Sequence, residues 1–179
     1  KSKKKRMSHI RRFTCDDLFR FNNVNLDSFT ETYNFAFYLQ YLSKWPDFFT
    51  VAESQDGQMM GYIMGKAEGE RTNWHGHVTA VSVAPEFRRI GLAGNVMKWL
   101  EEVSEKVYDG YFVDLFVRQS NKVAIGMYEK FGYIKYRTVL GYYSGQENAY
   151  DMRKALARDV DKKSVIPVLK PVTPEELGE

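Results

Sequence analysis

Two apolar runs, His77–Val83 and Tyr111–Val117, flank a helical segment, Ala93–Lys106, and this arrangement limits the fold more than any other part of the chain. Val96, Leu100 and Val103 recur with helical period, while Glu101, Glu102 and Lys106 fall on the opposite side. Tyr111–Val117 is almost unbroken in apolar residues, as a strand buried on both faces requires. A strand, a helix and a second strand in that order predict a crossover connection, and hence a sheet containing parallel pairing with helices packed on it.

The flanking segments add antiparallel features. Phe48–Glu53 and Met59–Lys66 are β-rich and separated by Ser54–Gln58, whose Asp56-Gly57 pair predicts a hairpin turn. Tyr133–Tyr143 and Ala149–Ala155 predict a last strand pair around Ser144–Asn148. Before them, Ile10–Phe13 is a short strand, and Thr14 with Asp17 three residues on predicts the start of a first helix. Phe35, Tyr38, Leu39 and Leu42 predict a second helix that ends before Pro46. Asn121–Phe131 reads as a further helix stopped by Gly132. Beyond Arg158 the periodicity fades and Pro167, Pro171 and Pro174 appear, which predicts an extended tail.

With 179 residues there is room for one ordinary domain. The expected division is a basic leader over 1–6, a domain over 7–157 and the tail over 158–179. No apolar run is long enough to cross a bilayer, and a single cysteine, Cys15, excludes an internal disulfide framework and a cysteine-built zinc site. An intracellular address and no membrane partner are expected. Lys1, Lys3, Lys4, Lys5 and Arg6 carry five positive charges in a chain whose formal net charge is +3, so the remainder is slightly acidic. Two readings fit the run: an expression remnant ahead of Met7, which is preferred, or a nuclear or nucleic-acid patch. The body itself gives no reason to expect direct nucleic-acid binding.

Arg88-Arg89-Ile90-Gly91-Leu92-Ala93-Gly94 leads into the predicted helix. Backbone N–H groups at a helix start have no intrahelical acceptor, and together with the helix dipole they favour an anion such as phosphate. Gly91 permits a positive φ, Ala93 and Gly94 keep side chains small, and either arginine can add a charge-assisted bond. A solvated basic turn is the plain alternative.

Val78–Gly91 and Ser120–Tyr133 resemble two motifs of the GNAT acetyltransferases, in the same order. Arg88, Gly91 and Ala93 match the pyrophosphate loop of that family, and Asn121, Ala124, Tyr128 and Gly132 match its fourth helix. The resemblance implies an α/β fold with a mixed twisted sheet, splayed between its fourth and fifth strands and with helices on both faces. It also implies acetyl-coenzyme A as cosubstrate. The expected coenzyme contacts are Val81, Val83, Arg88, Arg89, Gly91, Leu92, Ala93, Gly94, Asn121 and Tyr128. Phe13–Asn23, Trp74–Ala80 and Tyr142-Tyr143 are similar more narrowly to the catalytic subunits of NatB-type amino-terminal acetyltransferase complexes. That similarity implies acetylation of nascent chains beginning Met-Asp, Met-Glu, Met-Asn or Met-Gln. It further implies a large helical-repeat auxiliary subunit and a cytoplasmic place on the ribosome through the complex.

Tyr128 is the expected catalytic acid for the coenzyme sulfur, against a plain reading as a core aromatic. His77 is expected chiefly to recognise the second residue of the substrate, and secondarily to accept a proton. His75 is expected on the opposite face of the strand. Glu31 and Tyr33, in the loop between the first two helices, Thr79 and Ala80 on the strand, and Tyr142 and Tyr143 on a covering loop complete the expected peptide site. No metal site is expected, since the two histidines show no clear third ligand. The competing functions are a GNAT enzyme acting on lysine side chains or small amines, and a non-catalytic acetyl-coenzyme A binding module.

Overall fold

The computed structural model describes residues 8–26 and 29–177; the basic run Lys1–Arg6 and Met7 lie outside the described residues. In chain order the strands and longer helices are β1 (Ser8–Arg12), α1 (Phe35–Lys44), β2 (Thr50–Ser54), β3 (Met59–Glu68), β4 (His75–Val83), α2 (Leu92–Lys106), β5 (Phe112–Arg118), α3 (Lys122–Lys130), β6 (Ile134–Tyr143) and β7 (Glu147–Ala155). The strands hydrogen-bond in the order β1-β2-β3-β4-β5-β7-β6. β4 and β5 are parallel, as the intervening helix α2 requires, whereas β1-β2, β2-β3, β5-β7 and β6-β7 are antiparallel.

The predicted first helix is not an α-helix. Cys15–Phe19 and Asn22–Asn25 form two short 3-10 turns instead. Thr14 and Asp17 do pair: the Thr14 N–H donates to Asp17 Oδ2 at 2.9 Å. Asn22, Asn23 and Asn25 follow at once, however, and asparagine side chains compete with the helical backbone. The second helix matches its prediction, with Asn34 Oδ1 accepting the Phe37 N–H at its start and Pro46 beyond its end. β4 begins at His75, two residues earlier than predicted.

The chain divides into two compact units: the first runs to Lys66 and includes Thr79–Leu100, and the second comprises Ala67–Val78 and Glu101 onward. The first is built on aromatic packing. Phe13 stacks on Phe49 with ring centres 4.1 Å apart, and Phe21 meets Phe13 and Tyr38 edge to face at 5.8 and 5.2 Å. Such pairs add to the burial of large apolar surfaces.

In the second unit, Tyr133 lies fully buried and donates its hydroxyl proton to Glu101, which also holds Lys154 at 2.7 Å. Gly76 is required where β4 meets α2, since a Cβ there would stand 2.0 Å from Ser104 Oγ. The segment predicted as an extended tail contains 3-10 turns at Lys163–Val165 and Pro174–Leu177, and it engages the edge of β6. Val168 N–H donates to Tyr136 O, Val172 N–H to Thr138 O, and Leu140 N–H to Val172 O, at 2.7–3.0 Å. These bonds occupy backbone groups that an edge strand would otherwise present for pairing with another chain.

Candidate active site

After β4 the chain reaches the Arg88–Gly94 loop through a 3-10 turn, Pro85–Phe87. Arg89 has φ +63° and Gly91 has φ +88°, and a Cβ built on Gly91 would meet nothing within 4 Å. The Gly91 carbonyl accepts the Asn95 N–H, so the N–H groups of Leu92, Ala93 and Gly94 precede the first intrahelical donor of α2. Leu92 is buried and anchors the helix start, while Gly91 is exposed. The loop therefore fits a phosphate group by backbone donors and an open approach. Arg88 contributes differently from the sequence expectation: its Nε donates to Val83 O at 3.0 Å and ties the loop to the strand end. That bond occupies the Val83 carbonyl.

Tyr33 and Tyr41 meet the second half of β4 at Thr79. Tyr33 stacks on Phe37 at 4.3 Å and donates its hydroxyl to Thr79 O at 3.4 Å; Thr79 Oγ1 donates to Tyr41 Oη at 2.9 Å. Thr79, Ala80, Val81 and Val83 are partly exposed, and Glu31 is exposed. Sequence reasoning missed Tyr41, because at helical spacing it reads only as a core residue.

The second-unit set is built around Asp114. Parallel pairing between β4 and β5 is recorded from His75–Phe112 to Val78–Leu115, and places His77 opposite Asp114. His77 Nδ1 lies 2.7 Å from Asp114 Oδ1, and His75 Nε2 lies 3.4 Å from Asp114 Oδ2. Both histidines consequently face the same carboxylate, which corrects the expectation that His75 points away. Residues two apart on a strand share a face. His75 also stacks on Phe112 at 4.4 Å and shares Nδ1 with Asn73 O at 2.6 Å.

Burial works against charge at Asp114, but the two histidines outweigh it and hold its carboxyl far below the usual range. Burial likewise opposes protonation of His75, yet Asp114, with help from the Asn73 carbonyl and Glu68, moves it upward. Glu68 brings a carboxylate oxygen to 3.8 Å from His75 Nε2 and 3.7 Å from His77 Nδ1. A third ligand-type group thus does stand beside the histidines, and the sequence reason for excluding a metal is corrected: the three donor atoms lie within 4.8 Å of one another. Asp114 and Asn73 already engage the same ring nitrogens. The signal for Asp114 was a lone carboxylate within the apolar run Phe112–Val117.

Tyr142 and Tyr143 end β6 rather than lying in a loop, since the turn begins at Ser144. Tyr142 packs on Phe116 at 4.6 Å, and Tyr143 donates to Phe116 O at 3.1 Å beneath the Arg118 guanidinium. Asn121 caps α3, with Oδ1 accepting the Ala124 N–H at 3.1 Å. Tyr128 is 7% exposed, and burial raises its pKa, which keeps the phenol protonated at neutral pH.

The family model described as the acetyltransferase (GNAT) family matches residues 15–133. An N-alpha-acetyltransferase 20 of Dictyostelium discoideum is 70% identical over 170 residues, covering 95% of this chain and 98% of the relative. The N-terminal acetyltransferase B complex catalytic subunit NAA20 of Arabidopsis thaliana is 62% identical, with 96% and 98% covered. The crystal structure of Chaetomium thermophilum Naa20 in complex with a bisubstrate analogue aligns with a TM-score of 0.90 at 42% identity, over 96% of this chain and all of that one. The chain belongs to the acetyltransferase (GNAT) family. Within it, the chain groups with the N-terminal acetyltransferases of the NatB catalytic-subunit type.

Proposed function

We propose that this chain acetylates the α-amino group of proteins whose amino terminus is Met followed by Asp, Glu, Asn or Gln, using acetyl-coenzyme A. The observation that carries the reading is the 70% identity to an N-alpha-acetyltransferase across nearly the whole of both chains. The neutral amine attacks the thioester carbonyl, forming a C–N bond as the C–S bond breaks. The ammonium proton must leave and the departing thiolate must gain one.

Tyr128 suits the second task because its phenol is buried and protonated. The backbone donors of Leu92, Ala93 and Gly94, the open turn at Gly91 and the charge of Arg89 hold the coenzyme phosphates, with Arg88 fixing the loop. Val81 and Val83 supply strand backbone to the pantetheine arm, and Asn121 offers its amide nitrogen to the coenzyme. Tyr33, Thr79, Ala80, Tyr142 and Tyr143 line the methionine and its backbone. Glu31 receives or stabilises the peptide amine, and His77 meets the second side chain. The reaction as written needs no metal.

The same reading assigns a large helical-repeat auxiliary subunit as partner, and through it a cytoplasmic place on the ribosome. Among the described residues, no helix is long and apolar enough to cross a membrane. The test is acetyl transfer to matched peptides beginning Met-Asp, Met-Leu and Ser-Ala, and to a blocked peptide with internal lysines, with and without the auxiliary subunit. Preference for the free Met-Asp terminus is expected. Transfer chiefly to lysine would replace the acceptor assignment, and coenzyme binding without transfer would overturn the enzymatic one.

A further inference from the structure

An ionised carboxylate can only accept hydrogen bonds, so any ring nitrogen bonded to it must carry the proton. His77 Nδ1 is 2.7 Å from Asp114 Oδ1, and Asp114 is 3% exposed. The nitrogen facing Asp114 is therefore N–H, and a neutral His77 keeps its lone pair on Nε2. His75 secures the other side of the same carboxylate. A backbone carbonyl also only accepts, so the 2.6 Å contact with Asn73 O places a proton on His75 Nδ1. Its Nε2 then faces Asp114 Oδ2 at 3.4 Å and Glu68 Oε1 at 3.8 Å, and a proton there turns two repulsive contacts into attractive ones. Asp114 thus has one oxygen facing His75 and the other committed to His77.

We propose that Asp114 is a positioning residue that fixes His77 with Nδ1 protonated and presents Nε2 to the second side chain of the substrate. This rests on the reading of His77 as the peptide contact. A single ring nitrogen can serve both classes of second residue. Neutral Nε2 accepts from the amide N–H of Asn or Gln, and protonated Nε2, its charge balanced by Asp114, donates to the carboxylate of Asp or Glu. The other groups bearing on the pair are Glu68 from β3, His75 from β4, and Asp151 from β7, which raises a like charge toward Asp114 and is held by Arg137 and Arg153.

Asp114→Asn offers an amide N–H to Nδ1, which moves the neutral ring's proton to Nε2 and removes the balancing charge. The test pairs long-range nitrogen-proton spectra of the His77 ring, in the full chain and in D114N, with kcat/KM for Met-Asp and Met-Asn peptides. The expected results are an Nδ1–H ring in the parent and an Nε2–H ring in D114N. The Met-Asp to Met-Asn ratio should fall about tenfold in D114N, the size of one lost charge-assisted bond. An Nε2–H ring in the parent, or an equal loss for both peptides in D114N, would overturn the proposal. The ring spectrum of the parent needs neither activity nor a folded variant. Absence of transfer to both peptides by the parent would instead count against the functional reading, while the spectrum still decides the contact between Asp114 and His77.

Discussion

Asp17 in the first unit and Asp114 in the second are both buried carboxylates, 1% and 3% exposed, but they are held by different kinds of partner. Arg11 grips Asp17 through two bonds of 2.7 and 2.9 Å, and Thr14 adds its backbone N–H. A guanidinium does not give up its proton at any pH a protein survives, so this is a permanent fastening. Asp114 is held by two imidazoles, each of which can carry a proton on either ring nitrogen. The contrast separates a joint that only holds the chain from one that can also set the state of a reacting group.

Removing each carboxylate gives the largest expected effects. Asp114→Ala leaves two histidines buried around a missing anion, and should cost about 3–5 kcal/mol in urea unfolding. It should also lower kcat/KM in the fraction that remains folded. Asp17→Ala loses a pair whose Arg11 side chain is 27% exposed, and should cost about 2 kcal/mol with kcat/KM per folded molecule unchanged. If Asp17→Ala impaired turnover as much as Asp114→Ala, the two joints would not differ in kind.

Gly91→Ala tests the loop rather than either joint. Its φ of +88° strains any side chain although nothing blocks the space, so a loss of about 1 kcal/mol is expected. Calorimetry should show weaker acetyl-coenzyme A binding by a few fold, on the order of that energy. Unchanged coenzyme affinity would remove the loop from the cofactor site.

The smallest effects concern pH, and their signs oppose. Burial pushes the Asp17 carboxyl up, but Arg11 outweighs it and holds the folded pKa below the ordinary 3.8; the stabilisation is present above that unfolded value and lost as pH falls through the folded one. The folded pKa of His75 is raised above 6.5, so its stabilisation is complete below 6.5 and lost as pH rises through the folded value. Urea midpoints should therefore fall less steeply on the acid side in Asp17→Ala than in the parent, with Asp114 retaining its own acid-side loss. They should fall on the alkaline side in the parent but not in His75→Gln. An alkaline limb that survives in His75→Gln would assign it to another group.

Much of this was legible before any coordinates. Leu92–Lys106, Phe112–Arg118 and the β2-β3 hairpin follow from periodicity and the Asp56-Gly57 turn, because each is decided by residues near in sequence. The first helix failed because Thr14 and Asp17 mark a helix start but say nothing of its length, which the following asparagines cut short. The tail's bonds to β6 were also invisible, since backbone pairing leaves little trace in side-chain pattern.

The candidate site divides along the same line. The loop around Gly91 and the cap at Asn121 are local, and the resemblance to the family's motifs marked both within short stretches of sequence. Asp114 with His75 and His77 could not: the contact spans 37 residues and depends on the register of two parallel strands. By itself the sequence determined which segments form strands and helices, where an anion can meet a helix start, and which residue types were on hand for chemistry. Only the tertiary structure decided which carboxylate faces which imidazole, because a proton's position depends on partners a few ångströms away in space, however far apart along the chain.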